Sequence, residues 1–116
     1  MSGAKLLLGV GSVLAVLQVL LGAANRFVGP AFVAIHVALA VILLGLLLAA
    51  LLSARGVRRV MRHTVITVVL LLIQGAVGLD MLFRGSPGPL SEGLHWAFGF
   101  LTAGSYVGAW LVARRV

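Results

Sequence analysis

Two histidines, His36 and His95, are the residues of this sequence with the clearest potential for chemistry. His36 lies in the apolar stretch 32–40 and His95 in the stretch 89–100, each a turn or so inside a longer apolar segment. An imidazole can ligate a metal, move a proton or form hydrogen bonds. Ionisable side chains inside membrane-spanning segments are rare and usually functional. The matched positions of the two histidines therefore predict that they act as a pair.

The composition predicts a membrane protein. Of the 116 residues, 62% are hydrophobic and 9% are charged, and the mean hydropathy is +1.22. Four apolar runs, 6–24, 32–52, 64–83 and 94–113, are each close to the ~20 residues that a helix needs to cross the hydrocarbon layer. Because backbone polar groups must be paired in lipid, the runs predict an all-α integral membrane protein. We expect a single domain, residues 1–116, forming a four-transmembrane-helix bundle.

The distribution of positive charge predicts the orientation of the chain. The net charge is +7. An even number of spans puts the N-terminus, the central loop and the C-terminus on one side, which carries Lys5, Arg55, Arg58, Arg59, Arg62, Arg114 and Arg115. The other side has Arg26 and Arg84 with both acids, Asp80 and Glu92. The positive-inside bias then predicts a multi-pass protein of the cell membrane with both termini cytoplasmic. The basic loop favours contact with anionic lipid of the bilayer, and no nucleic-acid partner is expected.

The sequence also contains an internal repeat. Gln18 and Gly22 are four residues apart, as are Gln74 and Gly78, and each pair precedes a histidine. The loop 84–89 absorbs the longer spacing in the second copy. Residues 1–54 and 60–116 are thus predicted to be two helical hairpins, related as parallel repeats about an axis along the membrane normal. The predicted inward faces are Gly11, Leu14, Gln18, Gly22 and Asn25; Thr67, Leu70, Gln74, Gly78 and Met81; and His95, Gly99, Thr102 and Tyr106.

Several of these residues also have structural explanations. Gln18 and the small residues of its face suit close helix packing with an interhelical hydrogen bond, or the lining of a cofactor site. Gly104 and Gly108 would face another helix or a second subunit. His63, among the arginines of the central loop, is interpreted as an interfacial side chain. Ser91 is predicted to cap the last helix, with Glu92 in its first turn.

A haem group fits the predicted histidine pair. Related by the repeat, His36 and His95 would face each other in the outer leaflet, and haem iron takes axial histidines from facing helices of a bundle. Gly22 and Gly78 would let a flat macrocycle lie near the backbone. Arg26 and Arg84 at the rim are suited to the propionate carboxylates. Without cysteine, thiolate metal sites and covalent c-type haem attachment are excluded, and two histidines supply too few ligands for a zinc or copper site.

The pattern Gln18–Gly22–Arg26, followed by a histidine early in the next helix and then repeated, resembles the haem A synthase family. The resemblance covers nearly the whole chain, as a half-size, four-helix, archaeal-type member. It implies that His36 and His95 are axial haem ligands. It also implies that the methyl of haem O is oxidised to the formyl of haem A. Glu92, three residues before His95, has the spacing of the family's functional glutamate and is the candidate catalytic residue, with helix capping as the alternative.

Three functions remain open from the sequence. The first is a haem A synthase-like oxidoreductase in which haem O and haem A are substrate and product, with a homodimer supplying a second haem. The second is a bis-histidine b-type cytochrome that exchanges electrons with a quinone or another redox partner. The third, a small multidrug exporter, is disfavoured because such proteins need an acid within a membrane helix. The first helix has none, and Asp80 is at the outer edge.

Overall fold

The structure, a computed structural model, describes residues 1–85 and 88–116. Helix α1 spans Ser2–Phe27, a 3-10 turn spans Pro30–Phe32, and α2 follows directly as Val33–Ser53. Helices α3 and α4 span Arg58–Arg84 and Pro89–Arg114. All four helices, α2 together with its 3-10 turn, are long and apolar enough to cross a membrane. The predicted all-α, four-helix membrane fold is confirmed, although the helices extend beyond the predicted apolar runs.

The helices form a closed ring of neighbours. Helix α1 packs against α2 and α4, and α3 packs against α4 and α2. Helices α2 and α4, which carry the two histidines, are therefore diagonal partners that face each other across the bundle. The longest dimension is 44 Å, which matches the ~40–45 Å of a bilayer with its headgroup regions.

The ends of the helices follow local backbone chemistry. Helix α4 begins at Pro89, with Gly88 at the N-cap position and no side-chain cap. The prediction that Ser91 caps this helix is therefore wrong. Proline is favoured in the first helical turn because it lacks the N–H that would be unpaired there, and the helix starts earlier as a result. Glu92 does lie in the first turn, as predicted. Ser86 and Pro87 of the predicted loop 84–89 lie outside the described residues.

The buried apolar core runs from the basic end of the bundle to its middle. Its largest fully buried apolar side chains include Leu8, Leu43, Leu47 and Tyr106. The Tyr106 hydroxyl donates a hydrogen bond to the Leu43 carbonyl at 3.2 Å, which ties α4 to α2. Thr67 and Ser105 share a hydrogen bond of 2.6 Å between their hydroxyl oxygens, which ties α3 to α4.

Half of the residues on the predicted inward faces are buried, and the other half are partly buried. On α1 and α3, Gln18 and Gln74 have exposed fractions of only 6% and 9%. The remaining buried members of the three faces are Gly11, Thr67, Gly99, Thr102 and Tyr106. Large apolar side chains such as Leu20, Ile35 and Phe83 instead point outward. Buried polar residues and exposed large apolar residues are the reverse of the usual pattern in soluble proteins. This arrangement suits a bundle that is surrounded by lipid.

Candidate functional site

The structure brings His36 and His95 together near one end of the bundle. Each lies six residues after the proline that begins its span, Pro30 or Pro89. The centroids of the two imidazole rings are 6.1 Å apart, and the ring planes are inclined at 76°. Both side chains are half-buried. The two residues that the sequence singled out thus face each other at the same depth.

The separation of the rings suits a shared metal ion. A metal–imidazole bond is about 2 Å long and the ring centre lies about 1 Å beyond the nitrogen, so two axial imidazoles have centroids about 6 Å apart. The observed 6.1 Å is close to this value, and it is also an ordinary distance for a direct edge-to-face contact between two rings. Across residues 1–85 and 88–116, no group of three or more histidine, cysteine or acidic side chains is suited to a metal. The two imidazoles can supply at most two protein ligands to one metal ion.

The ring of His95 is oriented by a backbone carbonyl. Its Nδ1 lies 3.2 Å from the carbonyl oxygen of Gln74. A carbonyl only accepts, so Nδ1 carries the proton and donates, which leaves the lone pair of the other nitrogen, Nε2, available. Ligating histidines commonly donate their second ring N–H in this way, which fixes the tautomer and the ring orientation. His95 is therefore set up as an Nε2 ligand.

The surroundings of His36 differ from those of His95. The Gln18 side chain donates from Nε2 to the backbone carbonyl of His36 at 2.7 Å, and so ties α1 to the histidine-bearing turn of α2. Within the part of the chain that the structure describes, His36 Nδ1 and Gln18 Oε1 are both buried without a hydrogen-bond partner. The Gln18 side chain thus donates to α2, and the Gln74 main chain accepts from the His95 ring on α4.

Gly22 and Gly78 make room for the imidazole rings. A Cβ at Gly22 would lie 3.3 Å from His36 Cε1, and one at Gly78 would lie 2.8 Å from His95 Cε1. The sequence suggested that these glycines admit a flat macrocycle. The contact that the structure gives them is with the histidines themselves. In both hairpins, the first helix contacts the histidine ring of the second helix at a glycine.

The predicted propionate-binding arginines each pair with a carboxylate in this structure. Arg26 forms an ion pair with Glu92, which connects the end of α1 to the start of α4. Arg84 pairs with Asp80 one turn earlier on α3 at 2.9 Å. From the sequence, separate roles are expected for Arg26 and Glu92, and their contact is not among the expectations. The signal for it was present, since both charges belong to the sparsely charged side of the chain.

No protein-family model, curated protein or solved structure matches this chain. The resemblance to haem A synthases therefore stays a hypothesis that depends on the residues named above. The fold and the site together define a four-helix membrane protein in which two imidazoles face each other across the bundle.

Proposed function

We propose that this chain is a membrane haem protein that holds one haem b between His36 and His95 and transfers electrons within the membrane. The observation that carries the proposal is the 6.1 Å separation of the two imidazole rings on diagonal helices. Two imidazoles at this spacing would be the residues that hold the haem, and the haem would supply a one-electron couple.

The hydrogen bonds around the pair support this role. His95 Nδ1 donates to the Gln74 carbonyl, which leaves Nε2 free to serve as a ligand and would raise its basicity. The Gln18 amide holds the backbone of His36. Both side chains would then be positioned before haem arrives, so that little ordering of the protein is needed on binding.

Occupation of both axial positions favours electron transfer over oxygen chemistry. Haem would supply a one-electron couple, and His36 and His95 would both be engaged in holding it. His36 and His95 would keep the same coordination in both oxidation states. A quinone or another redox protein is the partner class that this chemistry requires.

Arg26 and Arg84 would serve the propionates from the rim. Both guanidinium groups are largely exposed, at 57% and 72% of their side-chain surface. A guanidinium has five N–H donors, so Arg26 can bind a propionate while it keeps its contact with Glu92. The charge distribution would orient the termini to the cytoplasm and the haem toward the outer face.

The second candidate function is haem A synthase-like oxidation of a haem methyl group. The observation that favours it is the position of Glu92, whose carboxylate is fixed by Arg26 at the same end of the bundle as the histidines. Glu92 lies three positions before His95, as in the family that the sequence resembles. A homodimer would supply the second haem that this reaction needs.

The test is to express the chain together with a source of haem O and to identify the extracted haem by mass. For the electron-transfer function we expect unmodified haem from the wild type and from the Glu92→Gln variant. Hydroxymethyl or formyl haem from the wild type, absent in Glu92→Gln but present in Asp80→Asn, would replace electron transfer by the oxidase function. If the protein is expressed with an ample supply of haem and no haem can be extracted from it, both candidate functions would be overturned.

A further inference from the structure

The start of α3 carries a concentrated group of positive charge at the end of the bundle remote from the histidines. Four side chains, Arg58, Arg59, Arg62 and His63, line one cavity of about 540 Å³; we call them the basic cluster. A neighbouring cavity of about 460 Å³, the apolar groove, is lined by Gly56, Arg58, Met61, Arg62, Val65 and Ile66. Arg58 and Arg62 line both cavities, so the charged and the apolar surfaces are continuous.

Within residues 1–85 and 88–116, neither acidic side chain pairs with the basic cluster. The sequence contains two acids, Asp80 and Glu92, and both pair with arginines at the histidine end of the bundle. Among the described residues, no ion pair involves Arg58, Arg59 or Arg62. Three guanidinium groups close together repel one another, so an anion between them would be strongly favoured. Planar guanidinium groups bind phosphate through paired N–H donors.

We propose that the basic cluster and the apolar groove together bind one anionic phospholipid. Its phosphate would lie among Arg58, Arg59 and Arg62, and one acyl chain would follow α3 over Met61, Val65 and Ile66. Val65 and Ile66 are exposed by 44% and 50%, and they lie about two helical turns after Arg58 on α3. A lipid is favoured over a soluble phosphate compound because the groove offers apolar surface directly beside the phosphate position.

The geometry of the site also fits a membrane boundary. Arg58 begins α3 and Arg62 is one turn further along the same helix, where their side chains can reach the interface. Basic clusters next to a transmembrane helix bind anionic headgroups. Each cationic residue near the surface increases the affinity by about fivefold. The lipid site and the haem site are at opposite ends of the bundle, so each can be tested without the other.

The test is native mass spectrometry of the purified full chain, delipidated and then mixed with phosphatidylglycerol, phosphatidylcholine, or inorganic phosphate. We expect one phosphatidylglycerol to be retained in preference to phosphatidylcholine, and no stable phosphate adduct. Arg58→Gln/Arg62→Gln should weaken retention by roughly twentyfold or more. The matched control is Arg55→Gln/Arg115→Gln, which removes the same charge from exposed residues that line neither cavity.

Three outcomes would overturn the proposal. Equal retention of phosphatidylglycerol and phosphatidylcholine by the wild type would show that the site does not require an anionic lipid. This outcome does not depend on whether the variants fold. An equal loss in the control variant would assign binding to net charge alone. A phosphate adduct as stable as the lipid adduct would assign the site to a soluble anion. Circular dichroism of each variant identifies any loss of the helical fold.

Discussion

Replacement of either His36 or His95 by alanine is expected to reduce haem bound per purified chain by at least about tenfold, since even loss of a group that only orients a metal ligand costs ~10–100-fold in affinity. The rings are 6.1 Å apart, so each would donate to the same iron. Removing one ring leaves the other without the opposing ligand that completes six-coordination. The measurement is the haem-to-protein ratio by pyridine haemochrome assay after expression with ample haem.

The matched control is His63→Ala. His63 is also a histidine on a membrane helix, but it lies in the first turns of α3, among the arginines of the opposite end. We expect this variant to keep the wild-type haem content. Retention of haem by both His36→Ala and His95→Ala, with the helical content intact, would contradict the assignment of the ligands.

Gly11→Ala is expected to destabilise the bundle by about 1–3 kcal/mol, the usual range for overpacking a well-filled interior. A Cβ at Gly11 would overlap the ring and hydroxyl of Tyr106. Tyr106 is fully buried and its hydroxyl is bonded to the Leu43 carbonyl, so the ring cannot swing away without breaking contacts on α2. The measurement is thermal unfolding in detergent, monitored by circular dichroism.

Gly45→Ala is the control for this prediction. It is also a helical glycine, but nothing lies within 4 Å of its added Cβ. Alanine is ~1 kcal/mol more favourable than glycine in a helix interior, so Gly45→Ala should be neutral or stabilising. The double variant Gly11→Ala/Tyr106→Leu should lose less stability than the sum of its single variants. Equal stability of Gly11→Ala and Gly45→Ala would mean that α1 and α4 do not meet closely at Tyr106.

The sequence was sufficient for the four helices because the bilayer imposes a simple requirement on length and hydropathy. The inward faces followed from helical periodicity, with Gln18, Gln74 and Tyr106 buried as predicted. The start of α4 was misjudged because two signals competed within three residues, a proline suited to the first turn and a serine suited to the cap. The structure follows the proline.

The relations between helices were harder to predict. The repeat predicted that His36 and His95 would face each other, but their separation depends on how closely α1 and α3 approach the rings. Gly22 and Gly78 set that approach, and their contact partner was not evident from spacing. The hydrogen bonds of Gln18 and Gln74 were also not evident, because a repeat in residue type does not determine which groups of the two residues form them.

The contact between Arg26 and Glu92 illustrates the same limit. Each had a local explanation in the sequence, as a propionate ligand and as a first-turn acid or catalytic group. Their ion pair joins residues that are far apart in the chain, and it follows only from the packing of α1 against α4. Long-range pairing of this kind requires the ring order of the helices, which apolar patterns alone do not give.

The most direct test of the haem assignment is the electron paramagnetic resonance spectrum of the purified, oxidised wild-type protein, recorded with its near-infrared magnetic circular dichroism. These spectra report the spin state of ferric haem and the identity of its axial ligands. We predict one low-spin haem per chain with two imidazole ligands. A colourless protein, or a high-spin haem with an open axial position, would contradict the shared ligation by His36 and His95.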